Sequence, residues 1–201
     1  MNPEAQIMLD YCASNGVTCG RMLDLGAGDA IGDASIALPF IERGWDVTLV
    51  DASPTVISGL ARRFGRHSKV KVVQALVGKH GMRPFYEIPD DTSLSTACDA
   101  LMKRKIGREV FDTIYMEGFD VRDLWAEFGP FDVVSVDLEG LSLGIASVLL
   151  DHHRAGIALC VEVFPEEVLG VDEGKKLDGL ATFHDYRVHA RTKENMILVK
   201  A

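Results

Sequence analysis

Residues 21–29 read Arg-Met-Leu-Asp-Leu-Gly-Ala-Gly-Asp, a short apolar run that contains one acid and ends in a glycine-rich turn. This order predicts a buried β-strand followed by a tight loop, because glycine adopts backbone angles that other residues avoid. In open α/β sheets such a loop joins the first strand to a helix, and its backbone can approach a ligand closely. The stretch therefore predicts an α/β fold with a ligand site beside its first strand.

The segments around this stretch alternate between helix and strand patterns. Up to residue 77 we predict a helix from Asn2 to about Asn15, a strand at 21–25, a helix at 32–43, a strand at 47–51, a helix at 53–64 and a strand at 70–77. This β-α-β-α-β order is typical of a parallel sheet with helices on both faces.

The pattern returns in the C-terminal part of the chain. There we predict strands at 131–137 and 157–164, helices at 143–152 and 166–180, and two final strands at 186–190 and 196–199. The final two strands are joined by a short polar turn, so they must pair antiparallel. We expect a doubly wound, mostly parallel sheet with a C-terminal antiparallel hairpin.

The middle of the chain, about 78–129, is less regular. It holds short strand patterns at 85–88 and 110–115, a polar loop at 89–96, and helix patterns at 97–105 and 121–128. We interpret residues 1–201 as one domain that carries this stretch as an irregular insertion.

Composition excludes several classes of protein. The chain has 201 residues, 47% of them hydrophobic, and 30 acidic against 21 basic side chains give a net charge of -9. Because nucleic-acid affinity depends mainly on Lys and Arg, we expect no nucleic-acid partner. No run of about 18 apolar residues occurs, and the first residues lack a signal-peptide pattern, so we expect no membrane insertion and a cytoplasmic protein. The four cysteines have no C-x-x-C or zinc spacing, and we predict no metal site.

The chemistry of the glycine loop limits the ligand. A dinucleotide loop would have its third glycine at Ile31, and Asp29 lies where a pyrophosphate would bind. A cationic ligand such as S-adenosylmethionine (SAM), which carries a sulfonium and an ammonium group, suits Asp24 and Asp29 better. Asp51 ends the second strand, where an acid can accept hydrogen bonds from ribose hydroxyls. The alternative is a plain strand-to-helix turn with a surface acid at Asp51.

Three stretches resemble a known family. They are 24–28 (Asp-Leu-Gly-Ala-Gly) with Asp51, 135–140 (Ser-Val-Asp-Leu-Glu-Gly), and 160–163 (Cys-Val-Glu-Val) with 195–199 (Asn-Met-Ile-Leu-Val). Together they resemble the class I SAM-dependent methyltransferases, which have a Rossmann-like fold, and most closely the FkbM-like group, whose D-x-E-G signature matches Asp137–Gly140. The resemblance extends over about residues 20–200.

The resemblance implies a set of cofactor-binding residues. These are Asp24, Gly26, Ala27, Gly28, Asp51, Ala52, Ala75 and Asp137. Two positions depart from the family pattern: Ser135 replaces a lysine and Ser142 replaces an acid, which weakens any transfer of the family's substrates to this chain.

Acids at the strand ends are the candidates for catalysis. Methyl transfer requires an aligned acceptor and a destination for one proton. We predict that Asp137, Glu139 and Glu162 handle the acceptor and its proton. The alternative is that Glu139 caps the following helix and Asp137 is a satisfied strand-end acid.

The sequence thus favours a SAM-dependent methyltransferase that acts on a small-molecule hydroxyl, of a sugar or secondary-metabolite type. N-methylation stays open. Two other functions also stay open. One is a non-catalytic SAM-fold binding subunit. The other is an NAD(P)-dependent reductase, which the missing third glycine and the lack of a Tyr-x-x-x-Lys pair oppose.

Overall fold

The computed structural model describes residues 2–88, 91–105, 111–152 and 156–201. The helices are α1 Pro3–Ser14, α2 Leu38–Glu42, α3 Pro54–Phe64, α4 Asp99–Lys105, α5 Val121–Phe128, α6 Ser142–Asp151, α7 Glu166–Leu169 and α8 Glu173–Phe183. The strands are β1 Arg21–Leu25, β2 Asp46–Asp51, β3 Val70–Gln74, β4 Leu76–Val77, β5 Gly81–Glu87, β6 Asp112–Phe119, β7 Val133–Val136, β8 Ala158–Glu162, β9 Tyr186–Arg191 and β10 Asn195–Lys200.

Seven strands form the central sheet, in the order β3-β2-β1-β7-β8-β10-β9. The neighbours from β3 to β8 pair in parallel, whereas β10 is antiparallel to both β8 and β9. This confirms the predicted doubly wound, mostly parallel α/β fold with a C-terminal antiparallel hairpin. The four residues of β7 and the five of β8 are all buried, as expected for central strands covered on both faces.

The hydrophobic core lies in two layers, one on each face of this sheet. Alternate residues of a strand point to opposite faces, so Leu23 and Leu25 pack with α5, α6 and α8, whereas Met22 packs on the other side. The second layer is built by α1, α2 and α3, with Met8 and Leu60 fully buried. Among the described residues, no helix combines the length and the apolarity that a bilayer crossing requires.

The helix predicted at 32–43 is wrong in its first half. Gly32 has a φ of +67° and starts only a single 3₁₀ turn, and the chain is then extended at Ser35. The Ser35 hydroxyl accepts a hydrogen bond from the Leu38 backbone N–H at 3.0 Å, so that α2 begins there. The extended stretch is also held from the N-terminus, because the Asn2 amide donates to the Ala34 carbonyl at 2.9 Å.

The strand predicted at 70–77 is divided in the structure. β3 stays in the central sheet, whereas β4 pairs with β6 in a separate three-stranded sheet of order β4-β6-β5. β5 and β6 are longer than the predicted strands at 85–88 and 110–115, because they form a seven-pair antiparallel ladder. Residue 110 and, in the predicted loop, residues 89 and 90 lie outside the described part of the chain.

The helix predicted at 166–180 is interrupted. Gly170 has a φ of +73° and ends α7, and the Asp172 side chain caps α8 by accepting from the Lys175 N–H. The predicted first helix is confirmed, since the Asn2 side chain accepts from the Ala5 N–H at 2.9 Å. The assignment of residues 1–201 to one domain stays a prediction.

Candidate functional site

The loop after β1 is bound to the end of β2. Gly26 donates its backbone N–H to the Val50 carbonyl at 2.9 Å, and Gly28 donates to one Asp51 carboxylate oxygen at 3.1 Å. The other Asp51 oxygen accepts from the Ser53 N–H at 2.8 Å. At Gly26, φ is +81° and an added Cβ would lie 1.7 Å from the Asp137 carbonyl oxygen. Only glycine therefore fits where the loop passes the end of β7.

A cavity of about 420 Å³ lies against this loop at the carboxyl ends of the strands. Seven of the eight predicted cofactor residues line it: Gly26, Ala27, Gly28, Asp51, Ala52, Ala75 and Asp137. We call it the cofactor cavity. Its opposite wall comes from the polar segment 91–97 of the insertion. The sequence motifs predicted these residues as one cofactor-binding set, and in the fold they line one cavity.

A second cavity, of about 920 Å³, shares Gly26, Ala27, Asp137 and Glu139 with the first. The eighth predicted cofactor residue, Asp24, lines this cavity, as does Glu162. We call it the acceptor cavity. The carboxylate oxygens of Asp137, Glu139 and Glu162 lie within 4.8 Å of one another. All three predicted catalytic residues thus meet at one point, and the same spacing would suit a metal ion, so the absence of a metal stays a prediction.

The turn that carries Glu139 has an unusual backbone. Glu139 has a φ of +44° and Gly140 one of +90°, so two successive residues are left-handed. The buried Thr96 hydroxyl donates to the Glu139 carbonyl at 2.7 Å and fixes the turn from the side of the insertion. α6 has Leu141 as its N-cap residue, two positions after Glu139.

Burial controls the charge of Asp24. Asp24 is buried and is the register partner of Ser135 on β7, and desolvation raises the pKa of the Asp24 carboxyl to about 7. Contact with the Ser135 hydroxyl favours the ionised form and limits this rise. Desolvation also raises the pKa of Asp51, although the N–H groups of Ser53 and Gly28 oppose it.

Asp137 and Glu162 share a proton. Burial, followed by the nearby charges of Asp137 and Glu139, raises the pKa of Glu162 to about 10, so Glu162 is protonated at neutral pH. It donates this proton in a hydrogen bond to Asp137. The Ser142 hydroxyl donates to the other side of Glu162 at 3.3 Å and accepts from the Leu138 N–H at 2.9 Å.

Several side chains of the site were not predicted. Glu4 of α1 and Asn195 of β10 both line the acceptor cavity. The 3.5 Å contact between their side chains joins residues 191 positions apart, which no local pattern reveals. Asn195 is also the register partner of Glu162. Thr96 donates to the Glu139 carbonyl and Ser142 donates to Glu162, contacts that the polar loop at 89–96 and the departure from the family pattern at Ser142 did not predict.

We expect the Glu162 proton to make stability depend on pH. An unfolded Glu has a pKa of about 4.3, so the folded state binds this proton more tightly. The resulting contribution is present at low pH, and the free energy of unfolding falls as the pH rises from about 4 towards about 10. Glu162→Gln keeps both hydrogen bonds without a proton to lose. At pH 8 we expect it to unfold about 2–4 °C higher than the parent, with a flatter pH profile. Identical profiles for the two proteins in calorimetry would contradict a shared proton.

Comparison with known proteins identifies the fold. The sequence matches no protein-family model and no curated protein. Among solved structures, the chain is similar to the methyltransferase FkbM from Methylobacillus flagellatus KT (13% identity, TM-score 0.55), covering 90% of this chain and 44% of that one. It is similar to precorrin-6y C5,15-methyltransferase from Geobacter metallireducens GS-15 (13% identity, TM-score 0.54, 98% and 87% covered). It is also similar to the S-adenosylhomocysteine-bound methyltransferase PaMTH1 from Podospora anserina (12% identity, TM-score 0.50, 98% and 78% covered). At these identities the likeness shows a Rossmann-like methyltransferase fold, and FkbM is one of several comparable matches.

Proposed function

We propose that this chain is a SAM-dependent methyltransferase that transfers a methyl group to a hydroxyl of a small molecule. One observation carries the proposal: the cofactor cavity and the acceptor cavity share Asp137 and Glu139. A methyl donor in the first cavity would therefore meet an acceptor from the second beside two carboxyl groups. The net charge of -9 argues for a small acceptor rather than a nucleic acid.

The residues of the cofactor cavity fit SAM. The two Asp51 oxygens accept the backbone N–H groups of Gly28 and Ser53 and have further lone pairs for ribose hydroxyls. Gly26 and Ala27 of the glycine loop line both cavities and admit the methionine end. Asp137, which also lines both cavities, and Asp24, which lines the adjoining acceptor cavity, favour its positive groups. When bound, SAM supplies a methyl group that its sulfonium makes electrophilic.

The chain's own residues then align the acceptor and move its proton. As the O–CH₃ bond forms and the S–CH₃ bond breaks, the hydroxyl proton passes to the Glu139 carboxylate. Glu162 already holds a proton, so its role is to donate a hydrogen bond to Asp137 and keep that carboxylate in position. Alignment of the reacting groups is expected to supply about 7–11 kcal/mol of the barrier reduction.

The proposal is tested first by cofactor binding. We expect SAM and S-adenosylhomocysteine to raise the melting temperature, because a ligand at a hundredfold excess over Kd stabilises the native state by about 2.7 kcal/mol. NAD and NADP should have no effect. Native mass spectrometry of the purified protein offers an independent check through co-purified SAM or S-adenosylhomocysteine. A shift with NADP alone would reject the proposal in favour of a reductase.

Asp51→Ala should weaken SAM at least tenfold. The carboxylate makes charge-assisted hydrogen bonds to the ribose, each worth about 1.5–3 kcal/mol. Isothermal titration of the variant, with its melting temperature recorded, measures the loss. Asp46→Ala is the matched control, since Asp46 is exposed at the opposite end of β2. Equal SAM affinities of the two variants would show that Asp51 does not bind the ribose.

A further inference from the structure

The acceptor cavity is strongly acidic. Six carboxyl groups line it: Glu4, Asp24, Asp137, Glu139, Glu162 and Glu194. Among the described lining residues, the single lysine or arginine is Lys193, whose ammonium is 2.9 Å from Glu194 and whose side chain is 91% exposed. Even with Glu162 protonated, the walls carry an excess of negative charge. A cavity lined by one sign of charge concentrates ligands of the opposite sign.

Glu4 is the carboxylate of this cavity that is best placed to bind a cation. The residue is only 8% exposed, and its side chain accepts a long hydrogen bond from the Asn195 amide nitrogen at 3.5 Å. In the described ranges, no lysine, arginine or histidine nitrogen comes within 4.0 Å of the Glu4 carboxylate. The Asn195 side-chain oxygen, also buried, has no hydrogen-bond donor there either. A buried carboxylate without a cation is costly, so this corner of the cavity is suited to a positively charged donor.

We infer that the acceptor is a hydroxyl compound that carries an ammonium group, and that the ammonium binds at Glu4 while the hydroxyl lies beside Asp137 and Glu139. The inference rests on the proposed function. An ammonium group offers three donors and no acceptor, which matches a carboxylate and an amide oxygen.

The positive groups of the cofactor do not account for Glu4. In the proposed function they lie at Asp24 and Asp137, next to the glycine loop, whereas Glu4 belongs to α1. The remainder of the acceptor meets apolar side chains, because Leu94, Leu101 and Phe164 also line the cavity. Hydroxylated aromatic amines have this combination of groups, whereas amino sugars and small amino alcohols share only the ammonium and the hydroxyl.

Matched probes test the inference by binding, without need of the natural acceptor. With S-adenosylhomocysteine saturating, ligand-observed NMR titrations compare tyramine, tyrosol and 4-hydroxyphenylacetate, which present one phenol with a positive, neutral or negative tail. Glucosamine, glucose and glucuronate form a second series. We expect the amine of at least one series to bind tenfold or more tightly than its neutral partner, and the acid to bind least.

Variants of Glu4 locate the ammonium. Glu4→Gln should remove most of the amine preference and leave S-adenosylhomocysteine and SAM affinity unchanged, whereas Glu4→Asp should retain part of it. Glu42→Gln, on an exposed face of α2, makes the same chemical change away from the cavity and should behave as the parent.

The outcomes separate this inference from the proposed function. Failure of both amines to bind a protein that binds S-adenosylhomocysteine, or equal binding within both series, overturns the inference alone. Loss of SAM affinity in Glu4→Gln also overturns it, because Glu4 would then serve the cofactor. A parent protein that binds neither SAM nor S-adenosylhomocysteine refutes the proposed function itself.

Discussion

Gly26→Ala is expected to destabilise the protein by about 2–5 kcal/mol and to weaken SAM at least a hundredfold. The added Cβ would lie 1.7 Å from the Asp137 carbonyl oxygen, and the φ of +81° is one that alanine avoids. Because the clash is with backbone, the end of β7 must move, and Asp137 moves with it. Chemical denaturation of the unliganded protein and a SAM titration measure the two effects.

Gly28→Ala is the control that distinguishes the steric clash at Gly26 from the cost of the left-handed backbone conformation. Gly28 also has a positive φ, of +54°, but an added Cβ there would meet no atom within 4 Å. We therefore expect the free energy of unfolding of Gly28→Ala to fall by only about 1–2 kcal/mol, which is the cost of the left-handed conformation. If Gly26→Ala were no less stable than Gly28→Ala, the close approach of the loop to β7 would not be a constraint on the fold.

Glu139→Gln is expected to lower turnover by about 10²–10⁴-fold, because the amide keeps the shape of the side chain but accepts no proton. The melting temperature should hardly change, because the amide keeps the shape of the side chain and Leu141 is the N-cap residue of α6. The measurement is methyl transfer to an amine-bearing acceptor found by the binding series.

Glu127→Gln provides the control for this experiment, because Glu127 is exposed on α5, away from both cavities. Asp137→Asn gives a second comparison. Asp137 is proposed to favour the positive groups of SAM in the cofactor cavity, so this variant should lose SAM affinity as well as turnover. Near-normal turnover of Glu139→Gln would reject Glu139 as the proton acceptor and leave Asp137 as the candidate.

Much of the central sheet follows from local patterns. The apolar runs at β1, β7 and β8 predict buried parallel strands, and the short polar turn before β10 requires antiparallel pairing. The stretch at 32–43 has a helical pattern, but the structure forms a 3₁₀ turn and a five-residue helix there. The extended residues between them are held by Asn2, a tertiary contact that the local pattern does not contain.

Some residues of the candidate site also follow from local patterns, whereas others depend on tertiary contacts. The acids at strand ends were predictable, because parallel strands bring their carboxyl ends to one edge. Glu4 was not, since α1 reaches this edge only through tertiary packing. The protonation of Glu162 was also beyond the sequence, because it depends on burial and on two neighbouring carboxylates.

The segment 91–97 borders both cavities. Ser93 lines each of them, and Thr96 holds the carbonyl of Glu139. Under the proposed function, acceptor specificity therefore cannot evolve in this segment independently of binding of the methyl donor. A substitution here that admits a new acceptor also reshapes the wall of the cofactor cavity. In laboratory evolution towards other acceptors, we expect changes in SAM affinity to accompany substitutions in 91–97, whereas substitutions in α1 should leave that affinity unaltered.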